Sequence, residues 1–177
     1  MTGGRTFPGV VLVGFMGSGK TSVGRRLARK LRAEFVDVDD RIERAAGKPI
    51  REIFSAEGEP SFREREKVAL REALSVPGRV VATGGGAFLE EGNRALLSAY
   101  APVVYLEARA ETLLARLPGN SDRPLLGGGD RGRVVRDLLD RRVPGYRKAD
   151  HTVATDGLTV EEVADRVVEW LSKTERR

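Results

Sequence analysis

The amino-acid sequence predicts an α/β fold, a three-layer sandwich in which helices cover both faces of a parallel sheet. Short apolar runs rich in β-branched residues alternate with segments of helical periodicity, which is the pattern of parallel strands joined by helices. The first run, Val10–Val13, is apolar at every position. A strand of this kind is buried on both faces, so we expect it at the centre of the sheet.

Five strands are predicted, each followed by a segment with helical character. The strands are Val10–Val13, 34–38, 79–83, 103–106 and 151–155. Helices are predicted over Lys20–Leu31, over residues 40–46 with Gly47 at the end, and over residues 61–74. A final helix follows Thr159 and Glu162, which have the spacing of a capping box. No repeat or interdomain linker is visible in the sequence, so residues 1–177 are expected to form one domain with an N-terminal extension over residues 1–8.

The composition limits the chemistry that the chain can perform. It contains no cysteine and one histidine, His151, which argues against disulfides, a cysteine nucleophile and a histidine zinc site. Catalysis is therefore expected to depend on carboxylates, lysine, arginine, hydroxyls and backbone amides. His151 itself begins a predicted strand and is expected to have no chemical role.

The net charge of +5 is consistent with an anionic ligand, and most of the basic residues are arginine. Nucleic acid is a less favoured partner because acidic residues alternate with the basic ones, as in residues 63–67. No apolar stretch approaches the roughly 18 residues that a membrane span needs. We therefore expect a cytoplasmic monomer with no nucleic-acid or membrane partner.

A phosphate-binding loop is the most specific motif in the sequence. Residues 14–21 match the pattern G-x-x-x-x-G-K-[ST] and lie between a predicted buried strand and a predicted helix. Such a loop points backbone N–H groups and the positive end of a helix dipole at phosphate oxygens. Lys20 supplies a charge for the β- and γ-phosphates of ATP, and Thr21 a hydroxyl ligand for Mg²⁺. The predicted nucleotide contacts in the loop are Gly17, Ser18, Gly19, Lys20, Thr21 and Ser22.

Two aspartates lie at the end of the second predicted strand. Asp37 and Asp39 are expected to project to the same side of an extended chain, facing the phosphate site. One can hold Mg²⁺ and the other can orient or deprotonate an acceptor hydroxyl. The alternative is that these acids only cap the following helix.

Two glycine-rich segments complete the predicted site. Residues 84–86 are three glycines after the third strand, and their exposed amides allow a ligand to approach closely, although a plain flexible turn would have the same sequence. Residues 117–133 lose apolar periodicity and are rich in turn formers, which predicts a mobile loop.

In these residues the chain resembles the shikimate kinase family over nearly its whole length. The matching motifs are residues 14–21, Asp37-x-Asp39, Phe62-Arg63-x-x-Glu66, Gly84-Gly85-Gly86, Arg123-Pro124-Leu125 and Arg142-x-Pro144-x-Tyr146. The resemblance implies a P-loop kinase architecture with a five-stranded parallel sheet and a mobile lid. It also implies transfer of the γ-phosphoryl group of ATP to the 3-hydroxyl of shikimate, with Mg²⁺, in aromatic amino-acid biosynthesis.

The resemblance assigns roles on the acceptor side. Asp39 resembles the residue that binds the acceptor hydroxyls and acts as base, and Asp37 its companion near the metal. Arg63 and Arg142 match the arginines that hold the shikimate carboxylate, with Glu66 orienting Arg63. Backbone contacts and an aromatic wall are implied at Gly85, Gly86, Phe54 and Phe62.

On the nucleotide side, Arg123 matches a lid arginine that moves onto the transferring phosphoryl group, and Arg116 matches an arginine that stacks on adenine. Lys20, Asp39 and Arg123 are thus the implied catalytic residues. The sequence departs from the family near residues 155–158, where Gly157-Leu158 replace an arginine or proline.

Some alternatives remain open at this level. Arg63 and Glu66 could form only a surface ion pair, and Phe54 and Phe62 could be plain core residues. The acceptor could be another small acid such as gluconate. A nucleotide-dependent regulatory or RNA-binding module is a possibility of a different class.

Overall fold

The computed structural model describes residues 7–117 and 130–174. Its strands are β1 (Val10–Val13), β2 (Phe35–Asp37), β3 (Val80–Ala82), β4 (Val103–Glu107) and β5 (His151–Ala154). They form one sheet in the order β2-β3-β1-β4-β5, and every neighbouring pair is parallel. The predicted α/β class and the five predicted strands are therefore confirmed, with boundaries that differ by at most one residue at either end.

Strand β1 lies at the centre of the sheet, as its apolar sequence predicts. All four of its residues are fully buried. Because successive side chains of a strand point to opposite faces, Val11 and Val13 belong to one core cluster and Val10 and Leu12 to the other. The sheet is thus covered on both faces, which gives the three-layer sandwich.

The helices are α1 (Lys20–Leu31), α2 (Val38–Ala46), α3 (Ile50–Ala73), α4 (Glu91–Tyr100), α5 (Ala110–Arg116), α6 (Arg131–Tyr146) and α7 (Val160–Thr174), with a short 3-10 helix at Ala87–Leu89. Helices α1 and α7 pack on the face of Val10 and Leu12. The capping box of α7 is confirmed, since the Thr159 N–H donates to Glu162 and the Glu162 N–H donates to the Thr159 hydroxyl. In the described part of the chain, no helix combines the length and apolarity needed to span a membrane.

Helix α2 begins two residues earlier than predicted. The carboxylate of Asp37 accepts N–H bonds from Asp39 at 3.1 Å and Asp40 at 3.5 Å, which ends the strand and starts the helix at once. Asp39 therefore lies in a helical turn and not on an extended chain, so the prediction that both aspartates project from one strand was wrong. Gly47, with φ of 66°, closes the helix as predicted.

Helix α3 also begins earlier than predicted, at Ile50. Gly58, with φ of 82°, and Pro60 lie inside this helix. Because both residues disfavour helix, the sequence analysis predicted only the part of α3 that follows them. The helix continues through them with a kink.

The predicted lid has a different end. Asp130 accepts N–H bonds from Gly132 and Arg133, so α6 begins at Arg131 and residues 131–133 are helical. Residues 118–129 of the predicted lid lie outside the described residues.

Gly24 provides a test of the packing between α1 and the edge of the sheet. A Cβ atom at Gly24 would lie 2.3 Å from the Phe35 ring of β2, whereas a Cβ at Gly92 of α4 would have no atom within 4 Å. We expect Gly24→Ala to lower the free energy of unfolding by about 1–3 kcal/mol because the ring must move. The matched control Gly92→Ala should raise it by about 0.4–1 kcal/mol. Urea denaturation measures both, and equal changes in the two variants would contradict this packing.

Candidate active site

The phosphate-binding loop joins β1 to α1 at the carboxyl edge of the sheet. Gly17 and Gly19 have φ of 80° and 96°, values that a residue with a Cβ atom rarely adopts, and the loop needs both to curl. The ammonium group of Lys20 donates to the carbonyl oxygens of Gly14 at 2.8 Å and Phe15 at 2.9 Å. The charge of Lys20 is therefore held inside the curve of the loop.

A cavity of about 550 Å³, here called the P-loop cavity, opens from this loop. It is lined by Gly17, Ser18, Gly19, Lys20, Thr21, Ser22, Val23, Asp37, Asp39, Thr83, Arg116, Thr155, Leu158, Thr159, Val160 and Val163. Every nucleotide contact predicted from the sequence lines it except Arg123, which lies outside the described residues.

Arg116 is fixed at the wall of the P-loop cavity. Its guanidinium group donates to the hydroxyl of Thr155 at 3.1 Å and to the carbonyl oxygen of the same residue at 3.2 Å. Two bonds from one planar group fix its orientation. Leu158 lines the same cavity, at the place where the sequence departs from the family.

Thr21 and Asp37 form a pair of oxygen ligands between the loop and β2. The Thr21 hydroxyl donates to Asp37 Oδ2 at 2.6 Å, while the other carboxylate oxygen of Asp37 caps α2. A hydroxyl and a carboxylate beside a phosphate loop fit Mg²⁺, which binds few protein oxygens and takes its other ligands from phosphate and water. Both interpretations of Asp37 from the sequence, helix cap and site residue, are thus compatible with its geometry.

A second cavity of about 280 Å³ adjoins the first, and we call it the triglycine cavity after the turn at residues 84–86. It is lined by Met16, Thr21, Asp37, Asp39, Asp40, Glu43, Pro49, Ile50, Arg51, Phe54, Phe62, Glu66, Gly84, Gly85, Gly86 and Arg142. Thr21, Asp37 and Asp39 line both cavities. A group bound in one cavity therefore meets a group bound in the other at these three residues.

Arg63 is the one predicted acceptor contact that does not line the triglycine cavity. Its guanidinium group lies beside the turn, 3.1 Å from the position of a Cβ on Gly86. It donates to Glu66 at 2.8 Å and to Glu59 at 3.0 Å. Glu66 is only 1% exposed, so the ion pair between Arg63 and Glu66 is not a solvated surface pair. Burial raises the pKa of Glu66, and the hydrogen bond from Arg63 opposes that shift.

Helix α6 supplies two side chains to the triglycine turn. Arg142 is 9% exposed, lies over the Phe15 ring at 5.6 Å, and has a guanidinium nitrogen 3.4 Å from the Cβ position of Gly85. Tyr146, one helical turn further, donates its hydroxyl proton to the Gly85 carbonyl oxygen and stacks on Tyr105 with ring centroids 5.1 Å apart. Burial raises the pKa of Tyr146 to about 12, so the hydroxyl remains a donor at neutral pH.

Phe54 and Phe62 face each other across the kink at Gly58, with ring centroids 4.7 Å apart. Phe62 is 6% exposed and belongs to the hydrophobic core, and Phe54 packs against that core. Both rings also line the triglycine cavity. They are therefore core residues and cavity wall together, and the two interpretations from the sequence do not exclude each other.

Several lining residues were not identified from the sequence. In the triglycine cavity they are Met16, Asp40, Glu43, Pro49, Ile50 and Arg51. Pro49, Ile50 and Arg51 lie at the start of α3, which the sequence analysis missed, whereas Asp40 and Glu43 lie within the helix predicted over residues 40–46. A helix search that tolerated Gly58 and Pro60 would have placed Arg51 beside Phe54.

Comparison with known proteins gives the family. A family model described as "Shikimate kinase" matches residues 16–172. The chain belongs to the shikimate kinase family. The shikimate kinase of Nitrobacter winogradskyi is 45% identical over 164 residues, which cover 93% of this chain and 77% of that protein. The shikimate kinase of Caldanaerobacter subterraneus is 40% identical over 168 residues, 95% of this chain and 98% of that protein.

Solved structures of shikimate kinases have the same fold. The shikimate kinase of Acinetobacter baumannii in complex with shikimate superposes with a TM-score of 0.93 at 41% identity, covering 98% of this chain and 97% of that one. A gluconokinase from Sinorhizobium meliloti has a TM-score of 0.61 at 22% identity, over 96% of this chain and 95% of that one. The second likeness shows the fold alone. The predicted family and the P-loop kinase fold are confirmed.

Gly84 provides a test of the close packing around the triglycine turn. A Cβ at Gly84 would lie 2.7 Å from Asp39 Oδ1 and 3.2 Å from Glu66 Oε1. We expect Gly84→Ala to displace Asp39 and to lower kcat for phosphoryl transfer by about 10²-fold, because a shift of about 1 Å in a site can have that effect. The KM for ATP should change little. Steady-state kinetics measures this, with Gly92→Ala as the control, and an unchanged kcat would contradict the close approach of Asp39 to the turn.

Proposed function

We propose that the protein transfers the γ-phosphoryl group of ATP to the 3-hydroxyl of shikimate and so serves aromatic amino-acid biosynthesis. Membership of the shikimate kinase family supports this activity. The structural observation that carries it is the contact between two cavities at Thr21, Asp37 and Asp39. One cavity ends at a phosphate loop and the other has an arginine-flanked glycine turn, so a terminal phosphate and a small acid can meet there.

The donor half of the proposed site is built around the loop. Backbone N–H groups and Lys20 hold the β- and γ-phosphates, and Thr21 with Asp37 holds Mg²⁺. When bound, the ion neutralises charge on the phosphates. Arg116 orients the adenine end. Arg123, by family resemblance alone, brings positive charge to the transferring phosphoryl group, where such an arginine contributes about 10³–10⁵ in rate.

The acceptor half is the triglycine cavity. Asp39 takes the proton of the 3-hydroxyl, the hydroxyl oxygen attacks the γ-phosphorus, and the bond to the β,γ-bridging oxygen breaks to leave ADP. Arg142 and Arg63 hold the shikimate carboxylate, because planar guanidinium groups bind a carboxylate in a fixed orientation. Glu66 holds Arg63 in place, and Tyr146 holds the triglycine turn. The amides of Gly85 and Gly86 bind the acceptor. Phe54 and Phe62 form the apolar wall of the cavity.

An acceptor panel tests the proposal directly. Coupled release of ADP should be fast with ATP, Mg²⁺ and shikimate, and should fall to background when shikimate is omitted or replaced by gluconate. Gluconate is the relevant competitor because a gluconokinase shares the fold. Turnover of gluconate without turnover of shikimate would overturn the proposal. Salt-sensitive nucleic-acid binding without any turnover would instead favour the RNA-binding alternative.

Asp39→Asn separates chemistry from nucleotide binding. The amide cannot take a proton from the acceptor, so kcat should fall by at least about 10²–10⁴-fold. ATP affinity, measured by titration calorimetry, should stay within about twofold because the loop contacts are unchanged. Loss of ATP binding in this variant would mean that Asp39 belongs to the nucleotide site.

The division into one domain and the cytoplasmic, monomeric state stay predictions. Gel filtration with light scattering at micromolar concentration checks the monomer, and a concentration-dependent dimer mass would contradict it.

A further inference from the structure

We propose that Arg51 is an additional specificity-determining residue of the acceptor site, an outer cation that favours anionic acceptors. The inference rests on the proposed function, since it takes the triglycine cavity to be the place where shikimate binds. Arg51 lies outside the motifs that carry the family resemblance, and it lines this cavity directly.

The charge of the cavity wall gives such a cation a role. Among the described lining residues, five are acidic and two are basic. The acids are Asp37, Asp39, Asp40, Glu43 and Glu66, and the bases are Arg51 and Arg142. Glu66 is paired with Arg63, which lies beside the turn, so the charges of these two largely offset each other and the rest of the wall stays acidic on balance. An acidic acceptor that approaches this wall next to a triphosphate is repelled unless cations at the wall offset the field.

The two lining arginines occupy different depths. Arg142 is 9% exposed and lies against Phe15 and the triglycine turn, where it can touch a bound acceptor. Arg51 is exposed, so its charge acts from the solvent side of the cavity. A charge at the rim acts mainly on encounter and on salt dependence, and less on the bound complex.

The position of Arg51 is set by a contact between α2 and α3. Pro49 precedes α3 and gives it no side-chain cap. Glu43 of α2 caps the helix instead, because its Oε1 accepts a hydrogen bond from the Ile50 N–H at 2.9 Å. This bond fixes the first turn of α3 against α2, and the next residue, Arg51, therefore extends from a fixed point beside the cavity.

The test compares full-length Arg51→Gln with the wild-type enzyme and with Arg71→Gln. Arg71 is an exposed arginine on the same helix that does not line the cavity, so its variant has the same change of net charge. At about 20 mM salt we expect Arg51→Gln to raise the KM for shikimate about 3–10-fold, and at about 300 mM salt the difference should shrink through screening. The kcat and the KM for ATP should stay within about twofold. Arg71→Gln should match the wild type.

Arg51→Lys is a second variant, which keeps the charge and should keep the KM for shikimate within about twofold. Equal KM values for Arg51→Gln and Arg71→Gln would overturn the proposal, and so would a fall in kcat with an unchanged KM. A raised KM in the lysine variant that does not depend on salt would also overturn it. Absence of shikimate turnover in the wild type would instead overturn the proposed function, so the two failures are distinguishable.

Discussion

The carboxylate of Asp37 makes two sets of hydrogen bonds, and the geometry of the site depends on both. One oxygen accepts the Thr21 hydroxyl at the start of α1, and the other accepts backbone N–H groups at the start of α2. The first set fixes the phosphate loop relative to the edge of the sheet. The second turns the chain into a helix after β2, which brings Asp39 to the boundary of the two cavities. A single short side chain therefore positions the phosphate loop and Asp39 relative to each other.

The triglycine turn is the second constraint, because side chains from distant segments approach its backbone closely. Asp39 and Glu66 lie near Gly84, Arg142 near Gly85 and Arg63 near Gly86. The Gly85 carbonyl oxygen is in turn held by Tyr146. Glycine is needed here for space, since the turn residues lack the unusual dihedral angles of Gly17 and Gly19. All three glycines also line the triglycine cavity.

Local features of the site could be predicted from the sequence, and contacts between distant segments could not. The phosphate loop and β1 were predicted because their patterns are contiguous in the chain. The start of α2 was misplaced because the sequence does not show that Asp37 caps the helix instead of extending the strand. The first half of α3 was missed because Gly58 and Pro60 are read as breaks, although packing of Ile53 and Phe54 overrides them.

The acceptor side shows the same division. Family resemblance implied that Arg63 and Arg142 hold a carboxylate, but it did not give the depth of either side chain in the protein. The structure puts Arg142 in the cavity wall and Arg63 behind the turn. The bond between Tyr146 and Gly85 joins residues 61 positions apart, and no local pattern encodes it. Resemblance therefore singles out Arg63 and Arg142 as candidates, while the assembled fold determines which of them lines the cavity.

The wall of the triglycine cavity is assembled from widely separated parts of the chain, from Met16 near the start to Arg142 in α6. An unfolded or half-assembled chain has no such wall, so only the native state can bind there. Occupancy of the cavity is thus thermodynamically linked to folding of the whole sheet, with a gain of RT ln(1 + [L]/Kd) in the free energy of unfolding. At a ligand concentration 100 times Kd this gain is about 2.7 kcal/mol. A ligand that binds in this cavity therefore also protects the protein from unfolding and from the proteolysis of the unfolded chain.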